Sequence, residues 1–150
     1  MKEKLIWSIF WALVGVFVIE IGMMFTPLPQ SGYAIFAGLG VLLGLGVTLL
    51  VLAARAKLKK MLKAFLLLTG ASAVGMPLFV VLHNAVYALF IYFFGEGFWG
   101  GIGGDEPVFF IMAVFVSPIA FLVGAIGSIV LKFWKVKKSP SKARTRRKRA

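Results

Sequence analysis

One histidine and five acids are the chain's whole stock of imidazole and carboxylate, and two of these six groups interrupt long apolar runs. Glu20 lies within one such run and His83 within another. A carboxylate and an imidazole held in low dielectric can exchange a proton or share a cation. Asn84 follows His83, and Tyr87 stands one helical turn further on the same side. Glu20, His83, Asn84 and Tyr87 are therefore candidates for a single polar cluster. The cost of an acid at the centre of a spanning helix, about 2.5 to 3.5 kcal/mol, calls for some compensating contact. Counted along ideal helices, Glu20 lies about 22 Å from Leu5 and His83 about 28 Å from Ala64, so the two can share a depth. The plainer alternative is a hydrogen-bonded Glu20 that fastens two helices, with His83 close enough to the surface to reach water.

No enzyme motif accompanies these groups. The chain has no cysteine and no second histidine, which removes disulfides, thiolate ligands and the usual histidine-based metal sets. It has no recognisable nucleophile–base pair and no phosphate-cradling loop. No catalytic residue, cofactor or metal is expected. The segment GEGFWGGIGGDEP (95–107) carries Glu96, Asp105 and Glu106. Three carboxylates can hold a cation, but the surrounding glycines give no fixed cage. Asp105 and Glu106 before Pro107 fit the start of a helix better, with acids at its positive end and proline in the first turn.

The elements that must carry these residues are membrane helices. At 61% hydrophobic residues and a mean hydropathy of +0.97, the chain has more apolar surface than a water-soluble domain of 150 residues can hide. A spanning helix needs about 20 apolar residues, and four blocks qualify, over 5–25, 33–54, 64–94 and 108–134. The expected fold class is all-α, a polytopic membrane protein with four transmembrane helices in a bundle over 1–136. A basic, disordered tail follows at 137–150. The first block is longer than the apolar core of a cleavable signal and has no clear cleavage site after it, so it is expected to stay as a helix. Pro77 in the third helix and Ser117–Pro118 in the fourth are the expected bends.

All 17 Lys and Arg residues fall in three stretches: Lys2 and Lys4, residues 55–63, and the segment from Lys132 onward. Basic residues beside membrane crossings stay on the cytoplasmic side. The expected location is the cell membrane, multi-pass, with N- and C-terminus both cytoplasmic. Trp7 and Trp134 would then mark the inner interface, and Tyr33, Tyr92 and Trp99 the outer. In the tail, Lys135, Lys137, Lys138, Lys142, Arg144, Arg146, Arg147, Lys148 and Arg149 are placed to attract anionic lipid headgroups, each adding about 1 kcal/mol near the surface. The distal tail has no interleaved aromatic residues and no folded module, which argues against a nucleic acid as partner.

Membrane helices associate through close backbone approach, which small residues four apart provide. Gly40 and Gly44 in the second helix, and Ala120, Gly124 and Ser128 in the fourth, are the candidate packing positions. They serve either the bundle itself or a homo-oligomer or membrane-protein partner. In the first helix Gly15 and Gly22 lie nearly opposite Glu20, so the two faces meet different neighbours, and Glu20 can point to a subunit contact. The expected function is that of a small, non-enzymatic membrane anchor, interaction or assembly protein with a lipid-binding basic tail. The alternative is a small proton- or cation-coupled transporter or channel built on Glu20 and His83.

Overall fold

The structure, a computed structural model, describes residues 2–24, 26, 32–101, 104 and 106–137. All regular structure among them is helical: α1 (Lys2–Met24), α2 (Gly32–Arg55), α3 (Lys60–Phe94), a 3₁₀ turn (Trp99–Gly101), α4 (Pro107–Ile111), a π-turn (Met112–Val116) and α5 (Ser117–Lys137). Four helices are long and apolar enough to cross a membrane, the fourth being the continuous stretch from Pro107 to Phe133. Continuous apolar composition explains these elements, since only intrachain hydrogen bonding satisfies the backbone in lipid.

The helix starts and stops differ from hydropathy boundaries in an informative way. α3 begins at Lys60, four residues before the apolar run at Ala64, because a helix propagates through a polar turn as readily as an apolar one. Lys63 in that first turn donates from Nζ to the carbonyl of Ala54 at 2.5 Å, closing the tight α2–α3 connection. Its 35 residues correspond to roughly 52 Å of helix against a hydrocarbon thickness of about 30 Å. The far end of α3 is sheathed by Phe90, Phe94, Phe98 and Trp99, whose rings contact one another at centroid distances of 5.1 to 5.6 Å.

α3 is the central helix, packed against α2 on one side and α5 on the other. Two adjacent residues set both crossings. A Cβ on Gly70 would stand 2.9 Å from Leu50 Cγ and 3.1 Å from the carbonyl oxygen of Gly46 on α2. Its neighbour Thr69 faces α5, where a Cβ on Gly124 would stand 2.7 Å from the Thr69 backbone nitrogen. Gly127 similarly admits the ring of Phe65. α1 packs on α2 and reaches α5 through side chains. Phe17 stacks on Phe121 at 4.2 Å, and Lys132 Nζ sits 3.8 Å above the Trp7 ring. Ile6, Phe10, Leu13, Leu42, Leu49, Leu66 and Phe121 are the largest fully enclosed apolar side chains of the core.

The two prolines are absorbed differently. Pro77 is buried inside an unbroken α3, whereas the turn before Pro118 is a π-turn in which the Ser117 N–H bonds to the carbonyl of Met112. Proline has no N–H to give and its ring crowds the preceding turn, and the wider π-turn takes up that mismatch. Ser117 is itself buried and lies against Gly75, where a Cβ would stand 3.1 Å from its Oγ. The two proline-bearing segments thus meet across a glycine.

Candidate functional site

The four residues expected to cluster divide between two cavities at the end of the bundle farthest from Lys4 and Lys132. His83, Asn84 and Tyr87 line a shallow cleft of about 200 Å³ together with Gly104. Glu20 lines a separate groove of about 270 Å³ between the spanning helices.

His83 is joined to the segment that starts the fourth span. Its Nδ1 lies 3.0 Å from the carbonyl oxygen of Glu106 and 3.3 Å from Glu106 Oε2, and Glu106 is only 5% exposed. The same carboxylate accepts from the backbone N–H groups of Val108 at 2.9 Å and Phe109 at 3.0 Å, with Pro107 in the first turn. Glu106 is thus both the N-cap of α4 and the acid beside the imidazole. A carboxylate suits this position because the unpaired amides of a helix start carry partial positive charge. Sequence spacing identified the cap, but the contact with His83 arises from residues 23 positions apart and left no local signal. Asp105 lies outside the described residues.

Asn84 and Tyr87 are engaged locally. Asn84 Nδ2 donates to the Val80 carbonyl at 2.8 Å, one turn back along α3. The Tyr87 ring stacks on Trp99 at 5.6 Å with an interplanar angle of 11°, and Trp99 Nε1 donates to the Tyr87 carbonyl at 3.1 Å. Trp99 is only 6% exposed, so it folds back as a lid on α3, unlike Tyr33 and Tyr92, which stay exposed. At the opposite end Trp7 is buried under Lys132, which makes it a core residue more than an interfacial one. The Trp134 side chain lies outside the described residues.

Glu20 has a different setting. Its carboxylate lies where a Cβ would project from Gly38 on α2, and its groove is walled by Phe17, Ile21, Leu39, Met76 and Val80 among others. No hydrogen bond or ion pair is formed to it among the described residues. Gly15 and Gly22 on the other side of α1 face open space, so the acid, and not the glycine pair, marks the packed face of this helix. Gly38 is the partner that residue-by-residue reading missed, because a glycine in the run GLG carries no sign of which side chain fills its gap.

No protein-family model, curated protein or solved structure matches this chain.

The packing positions also divide. Gly124 and Ser128 are buried at the α3–α5 contact and Ala120 is half-buried, whereas Gly40 and Gly44 are exposed with nothing near their missing Cβ atoms. Ser128 Oγ is a buried hydroxyl with no hydrogen-bond partner among the described residues. Two other buried hydroxyls, Thr69 and Ser72, donate to carbonyls four residues earlier at 2.9 and 2.8 Å, the usual way a helix hides a hydroxyl in lipid. Lys135 and Lys137 belong to the last turns of α5, but their side chains, with Lys138, Lys142, Arg144, Arg146, Arg147, Lys148 and Arg149, lie outside the described residues.

Proposed function

We propose that this protein is a non-enzymatic, four-pass membrane anchor and assembly protein that holds a cationic end against anionic lipid headgroups, with both termini on the cytoplasmic side. The observation that carries this reading is the separation of charge along the bundle. Lys132 lies over Trp7 at the start of α1, and Lys63 reaches the end of α2. The cations of the head, of the 55–63 connection and of the end of α5 thus gather at one pole. Glu96 follows the end of α3 and Glu106 precedes the start of α4, at the opposite end of the bundle. The positive-inside rule then orients the chain.

The ten basic residues from Lys132 to Arg149 extend the same pole beyond the bundle. Near a surface rich in anionic lipid they contribute about 1 kcal/mol each, falling off within a Debye length of about 8 Å at physiological ionic strength. That density suits retention of acidic lipids around the protein, and through them, or directly, of a second membrane protein.

The chain has no cysteine, so topology can be tested with single introduced thiols. In intact cells a membrane-impermeant maleimide is expected to label Glu96→Cys and to spare Thr145→Cys until the membrane is opened. Labelling of the Thr145 position from outside would overturn the orientation. The lipid reading is tested by reconstituting the full chain in mixed phosphatidylcholine and phosphatidylglycerol bilayers and measuring the preference of spin-labelled lipids for its boundary. Charge-neutral replacement of Lys138 and the cations beyond it should lower the preference for phosphatidylglycerol, and an unchanged preference would remove that role.

A further inference from the structure

The Glu20 groove combines three features that the anchor role does not use. It is a cavity of about 270 Å³. Its walls are apolar and polarisable, with Phe17 and Phe36 rings and the thioethers of Met23 and Met76. Glu20 is the one acid among its lining residues, and among the described residues no cation or hydrogen-bond donor meets its carboxylate. The geometry points to a binding site for a small hydrophobic ammonium ion, with Glu20 as its counter-charge.

Size and charge select this occupant. A dry cavity of about 150 Å³ holds one benzene, so the Glu20 groove has room for one aromatic ring with an alkylammonium head. Metal cations need several oxygen ligands to replace their hydration shell, whereas the only acidic side chain on these walls is that of Glu20. A quaternary or alkylated ammonium has already given up most of its hydration to its own methyl groups. It can be met by one carboxylate and by the negative faces of aromatic rings. A zwitterionic lipid headgroup would bring its phosphate to the same acid, and like charges in low dielectric repel. A neutral acyl chain would fill the walls but leave the carboxylate without a partner, which is costly at this depth.

Gly38 gives the site its shape. The carboxylate rests in the gap left by its missing side chain, so that Glu20 packs against α2 and lines the groove at once. Phe36 is 67% exposed and stands at the lipid side of the groove, leaving a lateral path for an amphiphilic cation already partitioned into the membrane.

The test uses the full chain in nanodiscs of zwitterionic lipid, with benzyltrimethylammonium as the probe and its uncharged carbon isostere neopentylbenzene as the control, both followed by ligand-detected NMR. The ammonium ion is expected to bind saturably, at least tenfold more tightly than the isostere. Glu20→Gln should lower its affinity at least tenfold without changing binding of the isostere. Val80→Phe, which fills the cavity and leaves the carboxylate in place, should weaken both. Circular dichroism and thermal unfolding of each variant establish that it is folded, and Val80→Phe keeps the test open if Glu20→Gln is not. Absence of saturable ammonium binding to the wild-type chain, equal binding of the isostere, or an unchanged affinity in folded Glu20→Gln would each overturn the site. Failure of the lipid-headgroup role leaves this result untouched, because the nanodiscs contain no anionic lipid.

Discussion

The carboxylate of Glu20 occupies the space from which a side chain is missing at Gly38. An acid on one spanning helix and a glycine on the next thereby form a single packing unit between α1 and α2, and the acid also lines one apolar groove. It also limits what either position can become.

Gly38→Ala places a methyl group on the carboxylate and forces Glu20 to another rotamer. The expected cost is about 0.5 to 1.5 kcal/mol, because what must move is the far end of a flexible side chain, read from reversible unfolding in mixed detergent micelles. Gly40→Ala, two residues along and facing open space, should be neutral or mildly stabilising. Equal effects at the two positions would contradict the seating of Glu20 on Gly38.

The crossings of α3 make a second, separable prediction. Gly124→Ala brings a methyl group against the backbone nitrogen and hydroxyl of Thr69, and Gly70→Ala meets Leu50 and the Gly46 carbonyl. Backbone cannot move aside as a flexible side chain can, so Gly124→Ala should be the more damaging, by about 1 to 3 kcal/mol. Gly44→Ala should leave bundle stability unchanged. If Gly44→Ala changes a cross-linked dimer population while the monomer fold holds, the exposed face of α2 is a contact between copies.

Glu106 carries a prediction of its own because it caps a helix. Glu106→Ala removes both bonds to the Val108 and Phe109 amides and the side-chain contact to His83 Nδ1. Loss of a cap costs typically about 1 kcal/mol. The direct readout is amide hydrogen exchange, in which Val108 and Phe109 should lose protection before the rest of the fourth span. Glu106→Gln should restore part of that protection, since its side-chain carbonyl still accepts. Unaltered exchange in the alanine variant would show that the cap is not formed.

Trp99 tests the contact that holds the turn after α3 against that helix. Trp99→Phe retains a ring to stack on Tyr87 but gives up the bond from Nε1 to the Tyr87 carbonyl. A loss of about 1 kcal/mol is expected for that bond. Trp99→Ala removes the stack as well and should cost more. If the two variants are equally stable, the ring contact contributes nothing.

How much of this was legible beforehand depended on whether a property belongs to single residues or to pairs of helices. Four apolar helices, the gathering of cations at three stations and the acidic start at Glu106–Pro107 could be read directly from the chain. Transfer from water to lipid is a sum over individual side chains, and the amides at a helix start need an acceptor within a few residues. The partners of Glu20 and His83 could not be read in the same way. Equal depth made one joint cluster plausible. Depth does not fix rotation about the helix axis, and rotation turned Glu20 toward Gly38 while His83 met Glu106. The small residues were ambiguous for the same reason. Gly124 and Gly44 sit in similar spacing, yet one lies at a crossing and the other at an open face, because a glycine permits close approach without requiring it. The sequence by itself determined the helices and the pole at which positive charge collects. Only tertiary structure decided which faces touch, since that choice is made by the joint packing of four helices whose apolar surfaces lipid would cover almost equally well.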